Sequence, residues 1–479
     1  MFLPARRRLA KAEAALREAP SLETLRSVVG PAAKAGQDAR AGELLSAIPR
    51  FRWHEDGPDS TWHDAMTRRL GGAVPRAEPA SRLVLAFAFP PFSNSSGNVM
   101  ARRIMAEDVR VDVISNDMSG REGLDLPLYR ALAPLIGQHL VLDAPNEPAN
   151  AAAFAEFAEK AKDALRSGRF GRTHYDSVYS RAMWAQSHFA AAALLADGRA
   201  ARWIAEFSDP CHLDLEGRPA GPPADDAWLE SVGIAPMIRA AGFETPTGRK
   251  LMFWAEYMAF CLADEVIFTN EIQRDVMLAQ PEIPEPLRQR VARVGRIMAQ
   301  PVPGPAIMAH VLPAPPRDDA VWIGYFGASN PRRGLGALLD AVAALPPDLR
   351  GVVRVQIHGR ADPRLPLEIE RLGLGDAVQI GAPLDYLASL GQMAAMDYLF
   401  INDTERGAAY ARSPYLPSKL ADYESAGRPL IAFADPGSTL WARDLPPGSI
   451  RVDMTQRDEC REVVRAVAQM AIKRLCSAR

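Results

Sequence analysis

Short continuous runs of apolar residues recur along the chain, and segments with helical spacing separate them. The first run, residues 83–89 (LVLAFAF), ends in a loop of prolines, serines and asparagine, before a helical pattern that begins near Val99. Such runs are typical of strands that a parallel sheet buries on both faces. Further strands are predicted at 109–114, 177–179, 203–207 and 265–269, with a helix over 182–195. This alternation predicts a doubly wound α/β sheet that spans roughly residues 80–300.

A second series of the same kind begins after residues 301–320, a proline-rich stretch with the composition of a connector between domains. Strands are predicted at 321–326, 352–357, 378–380, 398–401 and 430–433, and helices at 335–344, 384–393 and 416–426. Two α/β domains in series predict a cleft between them. In open parallel sheets, ligands bind beyond the carboxyl ends of the strands.

The two ends of the chain have a helical pattern instead. Residues 11–17, 21–29 and 41–48 show apolar positions at helical spacing, and 457–479 predict a last amphipathic helix. We therefore divide the chain into a helical appendage (1–78), a first Rossmann-like domain (79–303), a second Rossmann-like domain (304–455) and a C-terminal helix (456–479). The basic group Arg6, Arg7, Arg8 and Lys11 has two interpretations: a solvated helix start, or weak peripheral contact with an acidic membrane surface.

Composition narrows the possible functions. The 479 residues are 48% hydrophobic and 24% charged, as in soluble globular proteins with large cores. A formal net charge of -2 gives no electrostatic support for a nucleic-acid partner. The cysteines lack zinc-site or disulfide-framework spacing, and no apolar run reaches the roughly 18–20 residues of a membrane span. We also find no signal-peptide core, so the sequence predicts a cytoplasmic protein with no metal site.

The strongest concentration of chemical groups lies in residues 414–432 (PYLPSKLADYESAGRPLIA), which predict a loop, a helix, a stop at Gly427 and a buried strand. Lys419 and Asp422 are three residues apart and share one face near the helix start. A lysine at a helix N-terminus can hold phosphate oxygens, and a carboxylate beside it can accept hydrogen bonds from ribose hydroxyls. The alternative interpretation is a surface Lys–Asp pair beside a core strand.

Four further candidates follow or close strands of the second domain. Gly327 comes directly after the strand at 321–326 and permits close approach of a ligand to the backbone. Arg332 and Arg333 precede the next helix, where two adjacent cations can neutralise a departing diphosphate. Exposed arginines at a helix start are the alternative. His358 closes another strand, where the nucleotide base can approach the backbone.

In the first domain, polar residues again follow the strands. Arg181 and His188 come after the strand at 177–179, Asp209 after 203–207 and Asn270 after 265–269, so all four are expected near the cleft. Alternatives stay open for two of them. His188 can be a packed helix residue, and Asp209 a helix cap or turn residue.

Three segments resemble glycosyltransferase family 4. Residues 414–432 are similar to its donor-binding stretch, P-x-K-x-x-E-Y-x-A-x-G-x-P. Residues 324–339 (GYFGASNPRRGLGALL) resemble the strand and loop that open its C-terminal domain, and 83–97 resemble its first strand and donor-facing loop. The resemblance covers roughly residues 82–455. The positions that match the donor-binding pattern are Pro417, Lys419, Asp422, Tyr423, Gly427 and Pro429.

The resemblance implies an α/β protein of GT-B architecture, in which two Rossmann-like, doubly wound domains face a cleft, with the N-terminal helices as an appendage. It implies an acceptor domain at 79–303, a donor domain at 304–455, retention of anomeric configuration, and no metal or other cofactor. By the resemblance, Arg333 stabilises the donor diphosphate and Asp422 holds the ribose. The predicted site residues are Arg333, Lys419 and Arg181 as catalytic, Gly97, Gly327, Arg332, His358, Ser418 and Asp422 as donor-binding, and His188, Asp209 and Asn270 on the acceptor side.

The sequence departs from the family pattern at two places. Many members carry two glutamates separated by seven residues, and the earlier position is Pro414 here, whereas the later one is Asp422. The arginine that often follows the first strand of the donor domain is replaced by Ala328 or Ser329. Both departures fit a divergent or inactive member. Motifs of other enzyme classes (GxGxxG, GxxxxGK[ST], HExxH, GxSxG and the D-x-D pair) are absent from the sequence.

We therefore predict a glycosyltransferase that moves a sugar from a nucleotide diphosphate sugar to a hydroxyl of a glycan, lipid-linked or protein acceptor, in cell-envelope or surface glycan synthesis. Two rival hypotheses stay open. A sugar-nucleotide epimerase on the same two-domain plan would need no acceptor. A non-catalytic partner or scaffold, with the N-terminal helices as its interaction surface, need not bind a nucleotide.

Overall fold

The computed structural model describes residues 2–49, 51–54, 57–59, 61–72, 80–147, 149–168, 172–317, 320–328, 334–360, 362–405 and 410–477. The chain divides into two compact units, Met1–Ala299 and Gln300–Arg479. Each contains a predominantly parallel sheet between layers of helices. Within the described residues, no helix is both long and apolar enough to cross a membrane.

The first unit is built on a nine-stranded sheet of the described residues, with the spatial order β2-β1-β5-β4-β3-β6-β7-β8-β9. Neighbouring strands are parallel except for the antiparallel pair β1 and β2. The strands are β1 (Phe51–His54), β2 (Gly57–Asp59), β3 (Arg82–Leu85), β4 (Val111–Asn116), β5 (Ile136–Leu142), β6 (Ser177–Ala182), β7 (Trp203–Phe207), β8 (Glu265–Phe268) and β9 (Gly295–Ile297).

The strand order of this sheet reverses between β3 and β6. From β3 the chain continues outward through β4 and β5, and β6, on the other side of β3, starts the second half of the sheet. A reversal of this kind opens a crevice at the carboxyl ends of the two central strands. The helices are α1 (Phe2–Glu18), α2 (Leu22–Lys34), α3 (Asp38–Ser46), α4 (Thr61–Arg69), α5 (Ser95–Glu107), α6 (Leu126–Leu132), α7 (Ala151–Arg166), α8 (Gln186–Ala196), α9 (Asp226–Ser231), α10 (Ile234–Ala240), α11 (Leu251–Leu262), α12 (Glu271–Leu278) and α13 (Glu285–Val294).

The N-terminal helices form a small core of their own, but they are not separate from the first unit. Leu25, Val28 and Val29 of α2 are fully buried in this core. Leu124 and Leu126, from further along the same unit, pack against it. Strand β1, which follows these helices, pairs in parallel with β5. The segment predicted as a helical appendage thus also contributes two strands to the edge of the sheet.

The second unit contains a six-stranded, all-parallel sheet of the described residues, in the order β12-β11-β10-β13-β14-β15. Its strands are β10 (Val321–Phe326), β11 (Val353–His358), β12 (Val378–Ile380), β13 (Tyr398–Asn402), β14 (Leu430–Ala434) and β15 (Ile450–Asp453). Its helices are α14 (Pro305–Met308), α15 (Gly336–Ala343), α16 (Pro347–Gly351), α17 (Leu365–Arg371), α18 (Tyr386–Ala394), α19 (Lys419–Ala426), α20 (Thr439–Ala442) and α21 (Arg457–Ser477).

The order of this second sheet reverses between β10 and β13. The connection from β10 to β11 and the connection from β13 to β14 run in opposite directions across the sheet. Because such crossovers are right-handed, α15 and α19 lie on opposite faces. Helix α15 packs with α21, and α18 packs with α19. The crevice between β10 and β13 is therefore flanked by α15 on one side and by α19 on the other.

Candidate functional site

Strands β10 and β13 separate before they end. They pair only at Ile323↔Tyr398 and Gly324↔Leu399. Two residues further on, the Phe326 N–H donates instead to the hydroxyl of Tyr423, at 2.8 Å. Tyr423 is fully buried, and burial raises the pKa of its hydroxyl well above the ordinary value. This hydrogen bond connects the middle of α19 to the end of β10 and holds the helix beside the crevice.

Two glycines form the floor at the carboxyl ends of β10 and β11. Gly327 has φ +127° and donates its N–H to the His358 carbonyl at 2.8 Å, and Gly359 has φ +133°. A Cβ on Gly359 would lie 2.4 Å from the Gly327 oxygen. Only glycine permits both this backbone conformation and this approach. The structure thus places Gly327 in close backbone contact with Gly359, and the approach of a ligand to Gly327 stays a prediction.

Lys419 is the first residue of α19 and is 8% exposed. Its Nζ lies 3.6 Å from the centroid of the Tyr325 ring. Its Cε and Nζ are 3.5 Å from the place that a Cβ on Gly327 would occupy. The Lys419 ammonium group therefore lies between the end of β10 and the start of α19, and not in solvent. This position disfavours the interpretation of Lys419 as an ordinary surface lysine.

Asp422 lies one helical turn after Lys419 and is half-buried. The Tyr386 hydroxyl of α18 donates to Asp422 Oδ1 at 2.6 Å, so one carboxylate oxygen has a fixed direction. Ser418, just before α19, has no side-chain capping bond to the helix. The Ser418 hydroxyl therefore does not cap α19, whose first residue is Lys419.

His358 closes β11 and stacks on Phe326, with ring centroids 5.4 Å apart and an angle of 20° between the ring planes. Its Nδ1 lies 2.9 Å from the Ala382 carbonyl oxygen. Because a carbonyl can only accept, Nδ1 is the donor of this hydrogen bond. Gly381 packs against the same ring. Together these contacts make a flat, half-buried surface beside the glycine floor.

A cavity of about 540 Å³ lies on the α15 side of the crevice. Phe400 and Phe433 are buried residues of its lining, and Arg364 and Arg457 are among its charged lining residues. Asn402, at the end of β13, also lines it and donates Nδ2 to the Gly334 carbonyl at 3.0 Å. Lys419, Asp422 and His358 do not line this cavity. They lie at the other side of the same crevice, where the chemistry that we predict is concentrated.

Arg332 and Arg333, the cations assigned to the diphosphate, lie outside the described residues, as does Ser329. Two residues that depart from the family pattern, Ala328 and Pro414, are among the described residues. Ala328 accepts a hydrogen bond from the Tyr325 hydroxyl through its carbonyl at 3.0 Å, and Pro414 is buried in the loop before α19. Neither residue can supply the charged side chain that the family pattern has there.

In the first unit, Arg181 lies at the crevice between β3 and β6 and is 3% exposed. Its Nε donates to Glu206 Oε1 at 3.1 Å, and its NH1 donates to Ser96 Oγ at 2.6 Å. Glu206 is fully buried and also accepts from Arg103 and from the Tyr179 hydroxyl. Burial by itself would raise the pKa of Glu206. The charges of Arg103 and Arg181 and the Tyr179 hydrogen bond outweigh burial and hold this pKa below its ordinary value.

Arg181 therefore connects the buried carboxylate to the first turn of α5, where Ser96 is the second residue. Gly97 follows in the same turn. A Cβ on it would lie 3.0 Å from Cα of Phe89 and 3.1 Å from the Ala88 oxygen. The small residue lets α5 pack directly on the loop that leaves β3. Sequence reasoning identified Arg181 and Gly97, but not Glu206, which joins Arg181 to a second arginine.

His188 is fully buried on α8. Its Nδ1 lies 2.8 Å from Ser180 Oγ, which also accepts from the Trp203 indole, and its ring meets Phe207 edge to face. Desolvation lowers the pKa of His188 to about 3. The ring is therefore neutral and packed in the core, as in the alternative interpretation of this residue.

The other two acceptor-side candidates lie near helix and strand ends. Asn270 caps α12, with its side chain accepting from the Gln273 N–H at 2.9 Å. Asp209 is half-buried in the loop that follows β7. This loop is anchored by Glu256 of α11, whose Oε1 accepts from the N–H groups of Cys211 and His212. Desolvation raises the pKa of Glu256 to about 7. Among the described residues, no group of three or more His, Cys, Asp or Glu side chains could hold a metal ion.

No protein-family model matches the chain, and no curated protein matches it in sequence. Solved structures match it in fold. One is Anabaena Alr3699/HepE in complex with UDP and glucose. It is 14% identical, the match covers 81% of this chain and 89% of that one, and the TM-score is 0.50. Another is the catalytic domain of starch synthase IV from Arabidopsis thaliana bound to ADP and acarbose. It is 12% identical, with 83% and 94% coverage and a TM-score of 0.50.

Likeness at this level of identity shows a shared fold. The shared fold agrees with the two doubly wound units, each of which has a reversal of strand order. It also agrees with the resemblance of three sequence segments to glycosyltransferase family 4. The chain therefore has the GT-B fold, as the sequence predicts.

Proposed function

We propose that the chain is a glycosyltransferase that transfers a sugar from a nucleotide diphosphate sugar to an acceptor hydroxyl. The single observation that carries the proposal is the position of Lys419. Its ammonium group is held at the N-terminal end of α19, beside the glycine floor of the crevice. A buried cation at a helix N-terminus is suited to phosphate oxygens. The HepE structure in complex with UDP and glucose, a protein of the same fold, supports a nucleotide sugar as the ligand.

The neighbouring groups fit the remaining parts of such a donor. Asp422, with one oxygen oriented by Tyr386, would accept hydrogen bonds from the ribose. The glycine floor at Gly327 and the flat surface at His358 would lie under the base and the diphosphate. The Ser418 hydroxyl would donate to a phosphate oxygen. Arg332 and Arg333 are assigned to the diphosphate by the sequence resemblance alone.

On the acceptor side, Arg181 would act through the α5 N-terminus, because its guanidinium bonds Ser96 in the first turn. Gly97 would let the backbone of this turn approach the donor. Asp209 and Asn270 follow strands β7 and β8 and would face the acceptor. His188 would support them from the core. The acceptor would be a glycan, a lipid-linked molecule or a protein in cell-envelope or surface glycan synthesis.

The proposed reaction breaks the bond between the anomeric carbon and the diphosphate and forms a bond from that carbon to the acceptor oxygen. Retention without a metal follows from the family resemblance. The departing diphosphate takes the acceptor proton, and negative charge grows on its leaving oxygen. Lys419 and Arg333 would stabilise that charge more in the transition state than in the bound donor, which raises kcat.

The proposal is tested by a screen of nucleotide diphosphate sugars for hydrolysis and transfer. We expect one donor to be consumed, and Lys419→Ala and Arg333→Ala each to lower kcat about 100- to 1000-fold. The control is Lys473→Ala, because Lys473 is the only other lysine of the second unit and lies exposed on α21. Full turnover in both test variants would contradict the proposal. Interconversion of the donor without an acceptor would indicate an epimerase.

One observation favours a second candidate, a non-catalytic partner protein that keeps the fold. Pro414 stands where many family members have a glutamate, and Ala328 or Ser329 stands where they often have an arginine. Calorimetric titration with UDP, ADP and GDP separates the two candidates. A glycosyltransferase binds at least one of them and loses this binding in the Lys419→Ala variant, whereas a scaffold need not bind any.

A further inference from the structure

The ammonium group of Lys419 rests on an aromatic face. Its Nζ lies 3.6 Å from the centroid of the Tyr325 ring, well inside the roughly 6 Å range of cation–π attraction. Both residues are buried: Tyr325 is 0% exposed and Lys419 is 8% exposed. A desolvated cation over a ring is attracted more strongly than an exposed one. The ring is therefore a defined partner for the ammonium, not only a packing neighbour.

Tyr325 is itself held from several sides. Its hydroxyl donates to the Ala328 carbonyl at 3.0 Å, and its ring lies 6.3 Å from that of Phe400 on β13. It also belongs to the core that α15 and α21 cover, whereas Lys419 begins α19 on the other side of the sheet. The contact thus spans the crevice between β10 and β13. One tyrosine fixes both the ammonium and the backbone turn after β10.

We propose that Tyr325 is a positioning residue that holds Lys419 at the donor diphosphate, through the π face of its ring. This inference rests on the proposed function. The hydroxyl contributes separately, because it fixes the backbone of the turn that leads to Arg332 and Arg333. The ring does not touch the donor. It limits the directions that the flexible lysine side chain can take, so the ammonium needs no rearrangement when charge develops on the leaving oxygen.

The strength of a cation–π contact can be changed without a change of shape. Fluorine atoms withdraw electron density from the face of a phenyl ring but add little volume. We would place phenylalanine and its 4-fluoro, 3,5-difluoro and 3,4,5-trifluoro derivatives at position 325. With the identified donor, we expect kcat to fall stepwise along the series, by roughly 3- to 30-fold in total, with a much smaller change in the donor KM. A role in packing alone predicts a flat series.

Tyr257 of the first unit provides a matched control. It is 4% exposed, its hydroxyl donates to the Glu244 carbonyl at 2.8 Å, and its ring stacks on Phe253. It therefore shares the burial, the carbonyl partner and the aromatic neighbour of Tyr325, but it belongs to the other unit. The same derivatives at position 257 should leave kcat unchanged. A decline at both positions would overturn the proposal.

A second measurement needs no donor. The chain contains seven lysines, so a spectrum of protein labelled with ¹³Cε-lysine has few signals. We expect one signal shifted upfield by the ring current of Tyr325, absent from the Lys419→Arg variant and returned to the ordinary position in Tyr325→Leu. If no such signal exists, the inference is wrong whatever the enzyme does. A flat fluorine series in an active enzyme overturns the positioning role alone. A shifted signal in a chain that binds no nucleotide sugar overturns the proposed function and the positioning role with it.

Discussion

Replacing Glu206 by glutamine should be among the most damaging conservative changes in the first unit. Glu206 is fully buried between Arg103 and Arg181, with N–O distances of 3.3 and 3.1 Å. Glutamine has the same shape, but it removes the negative charge that the two buried guanidinium groups share. Removing one partner of a buried ion pair costs about 3–5 kcal/mol. For a domain of this size, such a loss lowers Tm by roughly 6–20 °C.

Glu256→Gln is the matched control for this experiment. Glu256 is also a buried carboxyl of the first unit, but desolvation raises its pKa to about 7. At pH 6 it is therefore mostly neutral, and glutamine can accept the same two backbone hydrogen bonds. Calorimetric scans of both variants at pH 6 should show a large loss of Tm for Glu206→Gln and no loss, or a gain, for Glu256→Gln, because glutamine removes the cost of neutralising this carboxyl on folding. Equal losses would refute the argument that charge compensation, and not shape, makes Glu206 important.

Of four further predictions, two concern ionisation, one concerns backbone geometry and one concerns a hydrogen bond. Because the folded pKa of Glu256 lies above the ordinary 4.5, its stabilising contribution is complete below pH 4.5 and is lost as pH rises to 7. The loss is about 3 kcal/mol, and Glu256→Gln should flatten this part of a urea-unfolding pH profile. Tyr423→Phe should cost about 1–3 kcal/mol in the same assay, since it leaves a buried N–H unsatisfied; an unchanged midpoint would contradict the tie between α19 and β10. Gly359→Ala should be destabilised by roughly 1–3 kcal/mol or more, whereas Gly351→Ala, with open space around it, should unfold like the wild type. His188 should show no titration between pH 5 and 8 in NMR spectra, and a midpoint near 6.5 would place it outside the core.

Strands whose apolar run contains at most one polar residue could be predicted from the sequence. The bounds of β7, β10 and β12 match the predicted residues 203–207, 321–326 and 378–380. Strand β5 was not predicted, because Gln138 and His139 interrupt its apolar run. Both are nevertheless buried, and the His139 ring lies within hydrogen-bonding distance of Ser115 and Tyr129. The hydrogen-bonding partners of His139 lie 10 and 24 residues away in the chain. A pattern of neighbouring residues therefore gives no information about them.

The candidate site could be predicted where spacing along one helix was enough. Lys419 and Asp422 follow from the pattern of residues 414–432, since both lie on α19. Tyr325 and Tyr386, which hold them, read as ordinary apolar positions of a strand and a helix. Their roles depend on contacts that span 94 and 36 residues of sequence. The residues proposed to carry chemistry were therefore easier to find from the sequence than the residues in contact with them.

The pairing of β1 with β5 has a consequence for how the chain is made. Residue 51 leaves the ribosome 89 residues before its partner at 140. When β5 emerges and joins the growing sheet, the strand that closes its outer edge already exists. Nascent β5 therefore has a partner in its own chain from the start, before a neighbouring polypeptide can occupy the same row of N–H and C=O groups.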